Sequence, residues 1–131
     1  MSEQLAPITV AIVEDRHEIR DGLAALINGT EGYSCVGVFG TMEDAIARIH
    51  TNLPQVALID IGLPGMSGIE GITLLKERHP QLQLLMLTVY DDDDRILRAL
   101  CAGACGYLLK KTPPSRLLES IREVVSGGAP M

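Results

Sequence analysis

Five short apolar runs recur along the chain, at residues 8–13, 33–39, 56–59, 82–87 and 106–109. Four are almost continuously apolar, the pattern of strands buried on both faces. The run at 33–39 is interrupted by Ser34 and Gly37 and suits a sheet edge. Between the runs the apolar period changes to that of a helix. Ile19, Leu23, Leu26 and Ile27 repeat at helical spacing, as do Met42, Ala45, Ile46 and Ile49 behind a Thr41-x-x-Asp44 capping pattern. A third helix is expected to open at Ser67, with Glu70 three residues on, and to run to about His79, before Pro80. The fourth is expected to hold Ile96, Leu97, Leu100 and Cys101 on one face. Four acids, Asp91 to Asp94, precede it where a helix dipole favours negative charge. The fifth follows Pro113-Pro114 and is expected to bury Leu117, Leu118, Ile121, Val124 and Val125.

Strand alternating with helix five times predicts an α/β fold. The expected form is a flavodoxin-like, doubly wound, five-stranded parallel sheet of order 2-1-3-4-5, with five helices on its two faces. In such sheets the ligand crevice lies at the carboxyl ends of the strands, where the strand order reverses. Those ends are chemically distinctive. The first run ends in Val13-Glu14-Asp15, the third in Ile59-Asp60, the fourth in Leu87-Thr88 and the fifth in Leu109-Lys110. Three carboxylates, a hydroxyl and an ammonium are therefore expected on one rim.

Each of these residues also has an ordinary structural reading. Asp15 could cap the first helix, Asp60 could start a turn, Thr88 could cap the fourth helix, and Lys110 could snorkel into solvent. The set is harder to explain that way. Three acids at one rim raise one another's pKa unless a cation joins them, and Lys110 supplies only one charge. A few carboxylates plus water and a substrate phosphate is the usual way Mg²⁺ is held. A carboxylate beside Mg²⁺ and a lysine can attack phosphorus and form an aspartyl phosphate. Phosphoryl transfer asks the protein mainly for positioning and charge neutralisation, which Lys110, the Thr88 hydroxyl and nearby N–H groups can provide. The loop Asp60-Ile-Gly-Leu-Pro-Gly-Met-Ser-Gly68 can also bring a backbone carbonyl, that of Gly62, to the metal.

Composition narrows the picture further. The chain has 131 residues, enough for one domain with one core, and 47% are apolar, so disorder is not expected. Aromatic residues are 3% with no Trp, so the core must be aliphatic. No apolar run approaches the roughly 20 residues needed to span a bilayer, and residues 1–5 lack the features of a signal peptide. A cytoplasmic protein without membrane contact is expected. Cys35, Cys101 and Cys105 form no metal-binding spacing and are expected to be reduced and mostly buried. The net charge of −6 argues against direct nucleic-acid binding by these residues.

The ordered motifs resemble the response-regulator receiver domains of two-component signalling. The likeness rests on the Glu14-Asp15 pair, Asp60-x-x-Leu-Pro-Gly-Met-Ser-Gly68, Leu87-Thr88 and Gly106-Tyr-Leu-Leu-Lys110, and covers residues 7–126. It implies a switch rather than an enzyme. Asp60 would take a phosphoryl group from a sensor histidine kinase. Asp15, Asp60 and the Gly62 carbonyl would bind Mg²⁺ directly, and Glu14 would do so through water. Thr88 and Lys110 would hold the phosphoryl oxygens. Tyr107 would turn inward with Thr88 and reshape the surface of the fourth helix, fifth strand and fifth helix; its ordinary reading is a half-buried strand aromatic.

Tyr90-Asp-Asp-Asp93, Ala102-Gly-Ala-Cys-Gly-Tyr-Leu-Leu-Lys110 and Ser126-Gly-Gly128 further resemble the NarL/FixJ-type transcription regulators. That likeness implies a receiver domain over residues 1–126. Residues 127–131 would then begin a linker to a LuxR-type helix-turn-helix domain in a parent protein, with a homodimer as one output; a stand-alone receiver is the alternative. Two departures stand out. Lys110 is followed by Lys111, where the family more often has Asp or Pro. Gly62 and Tyr90 occupy positions that tune dephosphorylation in the family, so the phosphate lifetime is left open.

Three rival readings are weaker. A haloacid-dehalogenase-like phosphatase needs a second Asp two residues after the nucleophile, where this chain has Gly62. A flavodoxin-like binding module needs a Ser/Thr/Gly-rich loop after the first strand, where the chain has Glu14-Asp15-Arg16-His17. A receiver fold working without phosphate has no need of the acid, Thr and Lys set.

Overall fold

The computed structural model describes residues 6–62, 68–89 and 93–128. Five strands, β1 (Ile8–Val13), β2 (Tyr33–Phe39), β3 (Val56–Asp60), β4 (Gln83–Thr88) and β5 (Gly106–Leu109), form one sheet. All pairings are parallel and the order is β2-β1-β3-β4-β5, as the alternating pattern predicted. Five α-helices connect or follow them: α1 (His17–Asn28), α2 (Met42–Arg48), α3 (Gly68–Arg78), α4 (Asp93–Ala102) and α5 (Pro114–Val125). A 3-10 turn, Ile49–Asn52, prolongs α2.

The sheet divides the core into two layers, because successive strand residues point to opposite faces. On one face Ala11, Val13, Ala57, Ile59, Leu84 and Met86 pack against Met42 and Ala45 of α2, Ile72 and Leu75 of α3, and Ala99 of α4. On the other, Val10, Ile12, Val56, Leu58, Leu85 and Leu108 pack against Ile27 of α1 and Leu117, Ile121 and Val124 of α5. The core is aliphatic apart from Tyr33 and Phe39 at the β2 edge.

Local chemistry sets several boundaries. Thr41 caps α2 as its spacing predicted, its Oγ1 accepting from the Asp44 N–H at 3.0 Å. Gly71 lets α2 and α3 approach closely: a Cβ there would lie 2.2 Å from Met42 Cγ. Gly103, with φ +124°, turns the chain out of α4. The expected third strand gains Asp60, which pairs in register with Leu87. The expected fourth strand starts one residue late, since the Leu82 N–H donates to the His79 carbonyl in a turn. The expected cap at Ser67 and the acids Asp91 and Asp92 lie outside the described residues.

Three expectations are corrected. On α4, Ala99 rather than Leu97 and Cys101 joins Ile96 in the core, leaving Leu97 and Cys101 exposed. The buried face of the helix thus runs through Ile96 and its i+3 neighbour rather than i+1 or i+5. On α5, Val125 is the last residue of the helix and is exposed. The cysteines are free but not mostly buried: Cys35 and Cys105 are half-buried and Cys101 is exposed. Among the described residues no helix is long and apolar enough to cross a membrane.

Candidate functional site

Parallel register brings the carboxyl ends of four strands together. Val13 pairs with Ile59, Asp60 with Leu87, Leu87 with Leu108 and Thr88 with Leu109. The next residues along, Glu14 and Lys110, are thereby carried to the same edge as Asp60 and Thr88. The Lys110 N–H donates to the Thr88 carbonyl at 2.8 Å, extending the β4–β5 ladder by one bond.

Side-chain alternation then sorts these residues. Val10 and Ile12 point to the α1–α5 face, and Glu14 continues that set. Val56 and Leu58 do the same for Asp60, and Leu108 for Lys110. The three charges accordingly meet. Lys110 Nζ donates to Glu14 Oε1 and lies 3.2 Å from Asp60 Oδ2. The Glu14 side chain is 2% exposed, that of Asp60 10% and that of Lys110 13%, so the group is largely out of water. Asp15 stands beside them in the open loop, and oxygens of Glu14, Asp15 and Asp60 lie within 4.8 Å of one another.

The electrostatics follow from burial. Burial pushes the Glu14 carboxyl above its usual value, against the pull of Lys110 and of the Arg16 N–H; the neighbouring Asp60 charge pushes the same way. For Lys110, burial alone would lower the pKa, but Glu14 and Asp60 outweigh it and the net direction is up. One ammonium thus remains charged without fully compensating two buried carboxylates and a third beside them.

That surplus is what a hard divalent cation would neutralise. Oxygens around Mg²⁺ sit about 2.1 Å from the ion, hence up to roughly 4.2 Å apart across it. The oxygens of Glu14, Asp15 and Asp60, all within 4.8 Å of one another, are grouped on that scale. The donor set, carboxylates with a carbonyl nearby, fits that ion and not a soft one.

Of the predicted site residues, Glu14, Asp15, Asp60 and Lys110 are brought together. Gly62 is exposed next to them, its N–H donating to Asp60 Oδ1 at 3.0 Å, so Asp60 does make the turn that its ordinary reading allowed. Thr88 is buried at the end of β4. A hollow of about 310 Å³ beside it is lined by Thr88, Val89, Leu109, Lys110 and Lys111. Tyr107 is half-buried and packs against the α2–α3–α4 layer, on the face to which Thr88 also belongs by alternation. The segment 63–67 and Tyr90 lie outside the described residues. Asp15 does not cap α1, which has no side-chain cap, and Lys110 does not snorkel away.

Two features escaped the reading of the sequence. Glu14 was expected beside a metal and is also the closest partner of Lys110. Arg20, six residues after Glu14, donates from Nη1 to the Glu14 carbonyl at 3.2 Å. The signal available was an Arg one turn into the helix that follows an acidic pair, which alone is too common to single out.

Comparison with known proteins bears on the family and the fold. Residues 10–122 match the family model for the response regulator receiver domain. The chain is similar to the transcriptional activator protein ExaE of Pseudomonas putida, 36% identical over 122 residues, covering 92% of this chain and 56% of that protein. It is 35% identical over 120 residues to the DNA-binding transcriptional activator DevR/DosR of Mycobacterium tuberculosis, covering 92% and 55%. The chain therefore spans about half the length of the curated relatives it matches. Among solved structures, a LuxR-family two-component response regulator from Aurantimonas sp. SI85-9A1 superposes with a TM-score of 0.90 at 26% identity, covering 96% of this chain and 90% of that one.

Proposed function

The chain belongs to the response-regulator receiver-domain family, and from that premise we propose that Asp60 is the phosphoacceptor of a Mg²⁺-dependent switch. The observation that carries the proposal is the surroundings of one carboxylate. Asp60 shares an acidic cluster with Glu14 and Asp15 and has Lys110 Nζ 3.2 Å away.

The donor is the phosphohistidine of a sensor histidine kinase. An Asp60 carboxylate oxygen forms the new P–O bond while the N–P bond breaks, its electron pair going to the imidazole nitrogen. Asp15, Asp60 and the Gly62 carbonyl would hold the metal, and Glu14 would reach it through water. Bound Mg²⁺ supplies positive charge to the transferring oxygens and to the carboxylates. Lys110 contributes a second positive charge and changes partner, from Glu14 and Asp60 to a phosphoryl oxygen. The Thr88 hydroxyl donates to another phosphoryl oxygen, and Tyr107 moves inward behind it. Such contacts are charge-assisted and differ between the two states, which is what a population shift requires.

The readout is the α4–β5–α5 surface, where Leu97 and Cys101 are exposed. In the parent protein we assign residues 1–126 to the receiver and 127–131 to the start of a linker. The linker leads to a LuxR-type helix-turn-helix domain that carries the DNA-binding function, with homodimerisation as the coupled output in the cytoplasm. Two features support that assignment: the chain aligns with only a little over half of the transcriptional activators it resembles, and its own charge is −6.

The test is intact mass after acetyl phosphate treatment, with beryllofluoride binding followed by NMR alongside. A Mg²⁺-dependent gain is expected for the wild type and none for Asp60→Asn with its fold intact by circular dichroism. No gain in the folded wild type with Mg²⁺ present would overturn the proposal.

A further inference from the structure

The Glu14 peptide is gripped on both sides. Its N–H donates to the Phe39 carbonyl at 3.0 Å, and its own carbonyl accepts from Arg20 Nη1 at 3.2 Å. The Glu14 carboxylate also accepts from the Arg16 N–H at 3.1 Å, closing a turn around Asp15. Asp15 is the exposed middle residue of that turn, so the direction of its carboxylate is set by how its neighbours are held. At the start of α1, Arg16 makes no side-chain cap. Past the end of a strand a carbonyl has left the sheet ladder, and a charged donor is the stronger kind of replacement partner.

A second, separate observation concerns Gly40. A Cβ built there would lie 3.0 Å from Arg20 Nη1. Among the described residues the glycines with positive φ are Gly32, Gly103 and Gly127, so Gly40 is not needed for its backbone conformation. What its missing side chain provides is room for the guanidinium at the point where it reaches Glu14.

We propose that Arg20, seated against Gly40, is a positioning residue that holds the loop after β1 in the shape presenting Glu14 and Asp15 to a divalent cation. The inference rests on the Mg²⁺ reading above. It also runs against simple electrostatics. A positive charge near an acidic cluster should weaken cation binding, so removing it should tighten binding if charge were its only effect. Anchoring predicts the opposite sign.

The test is a Mg²⁺ titration of the chain followed by ¹H–¹⁵N NMR, with thermal unfolding of each metal-free protein alongside. Arg20→Ala should raise the Mg²⁺ dissociation constant about tenfold, the usual scale for losing support behind a ligand. Arg20→Lys, which keeps charge and one donor, should fall between. Gly40→Ala keeps Arg20 but crowds Nη1, and should weaken binding about twofold to threefold because the bond is stretched rather than lost. Its metal-free thermal midpoint should stay near that of the wild type, which a merely structural role would not allow. Saturating Mg²⁺ should restore wild-type acetyl-phosphate labelling rates in all three. Unchanged or tighter binding in Arg20→Ala would overturn the inference, as would wild-type affinity in Gly40→Ala, which decides alone if Arg20→Ala fails to fold. A wild type that never saturates with Mg²⁺ would instead overturn the metal reading and this inference with it.

Discussion

Replacing Lys110 by Met removes the cation that contacts Glu14 and Asp60 while keeping its length and apolar stem. Glu14 at 2% exposure and Asp60 at 10% lie in the regime where breaking a buried pair is costly, about 3–5 kcal/mol. The lower end applies here because the site opens to solvent at Asp15, so we expect a loss of about 3 kcal/mol at pH 8. For a chain of this size that is a fall of roughly 10 °C in midpoint. The loss should depend on pH. Glu14 has a folded-state pKa raised by burial, and losing Lys110 raises it further. A carboxylate with a raised folded pKa binds more protons folded than unfolded between its ordinary value and the raised one, so stability falls as pH rises through that window. The difference between variant and wild type should therefore shrink as the pH drops toward the usual carboxylate range. Mg²⁺ should recover much of it, since ligand stabilisation reaches about 2.7 kcal/mol at a hundredfold excess over the dissociation constant. Urea unfolding followed by far-UV circular dichroism is the suitable assay, because the chain has no Trp. A metal-free Lys110→Met protein as stable as wild type at pH 8, or a deficit that does not change with pH, would refute the charge argument.

Thr41→Ala should cost about 1 kcal/mol in the same assay, the usual value of an N-cap, and Thr41→Ser should cost almost none. Gly71→Ala places a Cβ 2.2 Å from Met42 Cγ and should destabilise by about 1–3 kcal/mol, with a double-mutant cycle to Met42→Ala showing strong coupling. Thiol labelling should modify Cys101 first, because it is exposed, whereas burial both hides Cys35 and Cys105 and pushes their thiols up. Equal labelling rates at all three would contradict the burial described for them.

The strands were legible because burial on both faces writes itself as uninterrupted apolar runs, and their carboxyl ends could be read off directly. That is why the sequence alone places Glu14, Asp60, Thr88 and Lys110 on one rim. Helix faces were less legible. Leu97 and Cys101 fit a helical period as well as Ala99 does, and hydrophobicity alone prefers the larger Leu. Packing chose the small residue, because α4 must approach α3, where a Cβ on Gly103 would lie 2.7 Å from Lys76 Cγ. The pairing within the site was not legible at all. Which of three acids takes Lys110 depends on side-chain alternation past the strand ends and on the Arg16 and Arg20 bonds that shape the first loop.

The same alternation bears on how a chemical event at this edge can reach a distant surface. Glu14, Asp60 and Lys110 belong by parity to the α1–α5 face, whereas Thr88 follows Leu84 and Met86 on the α2–α3–α4 face. Tyr107 pairs in register with Met86 and lies on that second face too, one step from Thr88 along it. A phosphoryl group on Asp60 that drew the Thr88 hydroxyl toward it would pull a side chain out of the layer that Tyr107 packs against. In a close-packed core the vacated volume must be refilled, and the half-buried Tyr107 is the aromatic placed to refill it. The charge set would then act as the input on one face, and the Thr88–Tyr107 pair as the relay to the other. A Thr88→Ala receiver should consequently accept phosphate at Asp60 yet show little change in the amide shifts of β5 and α4. Wild-type shift changes in that variant would mean the relay runs through other residues.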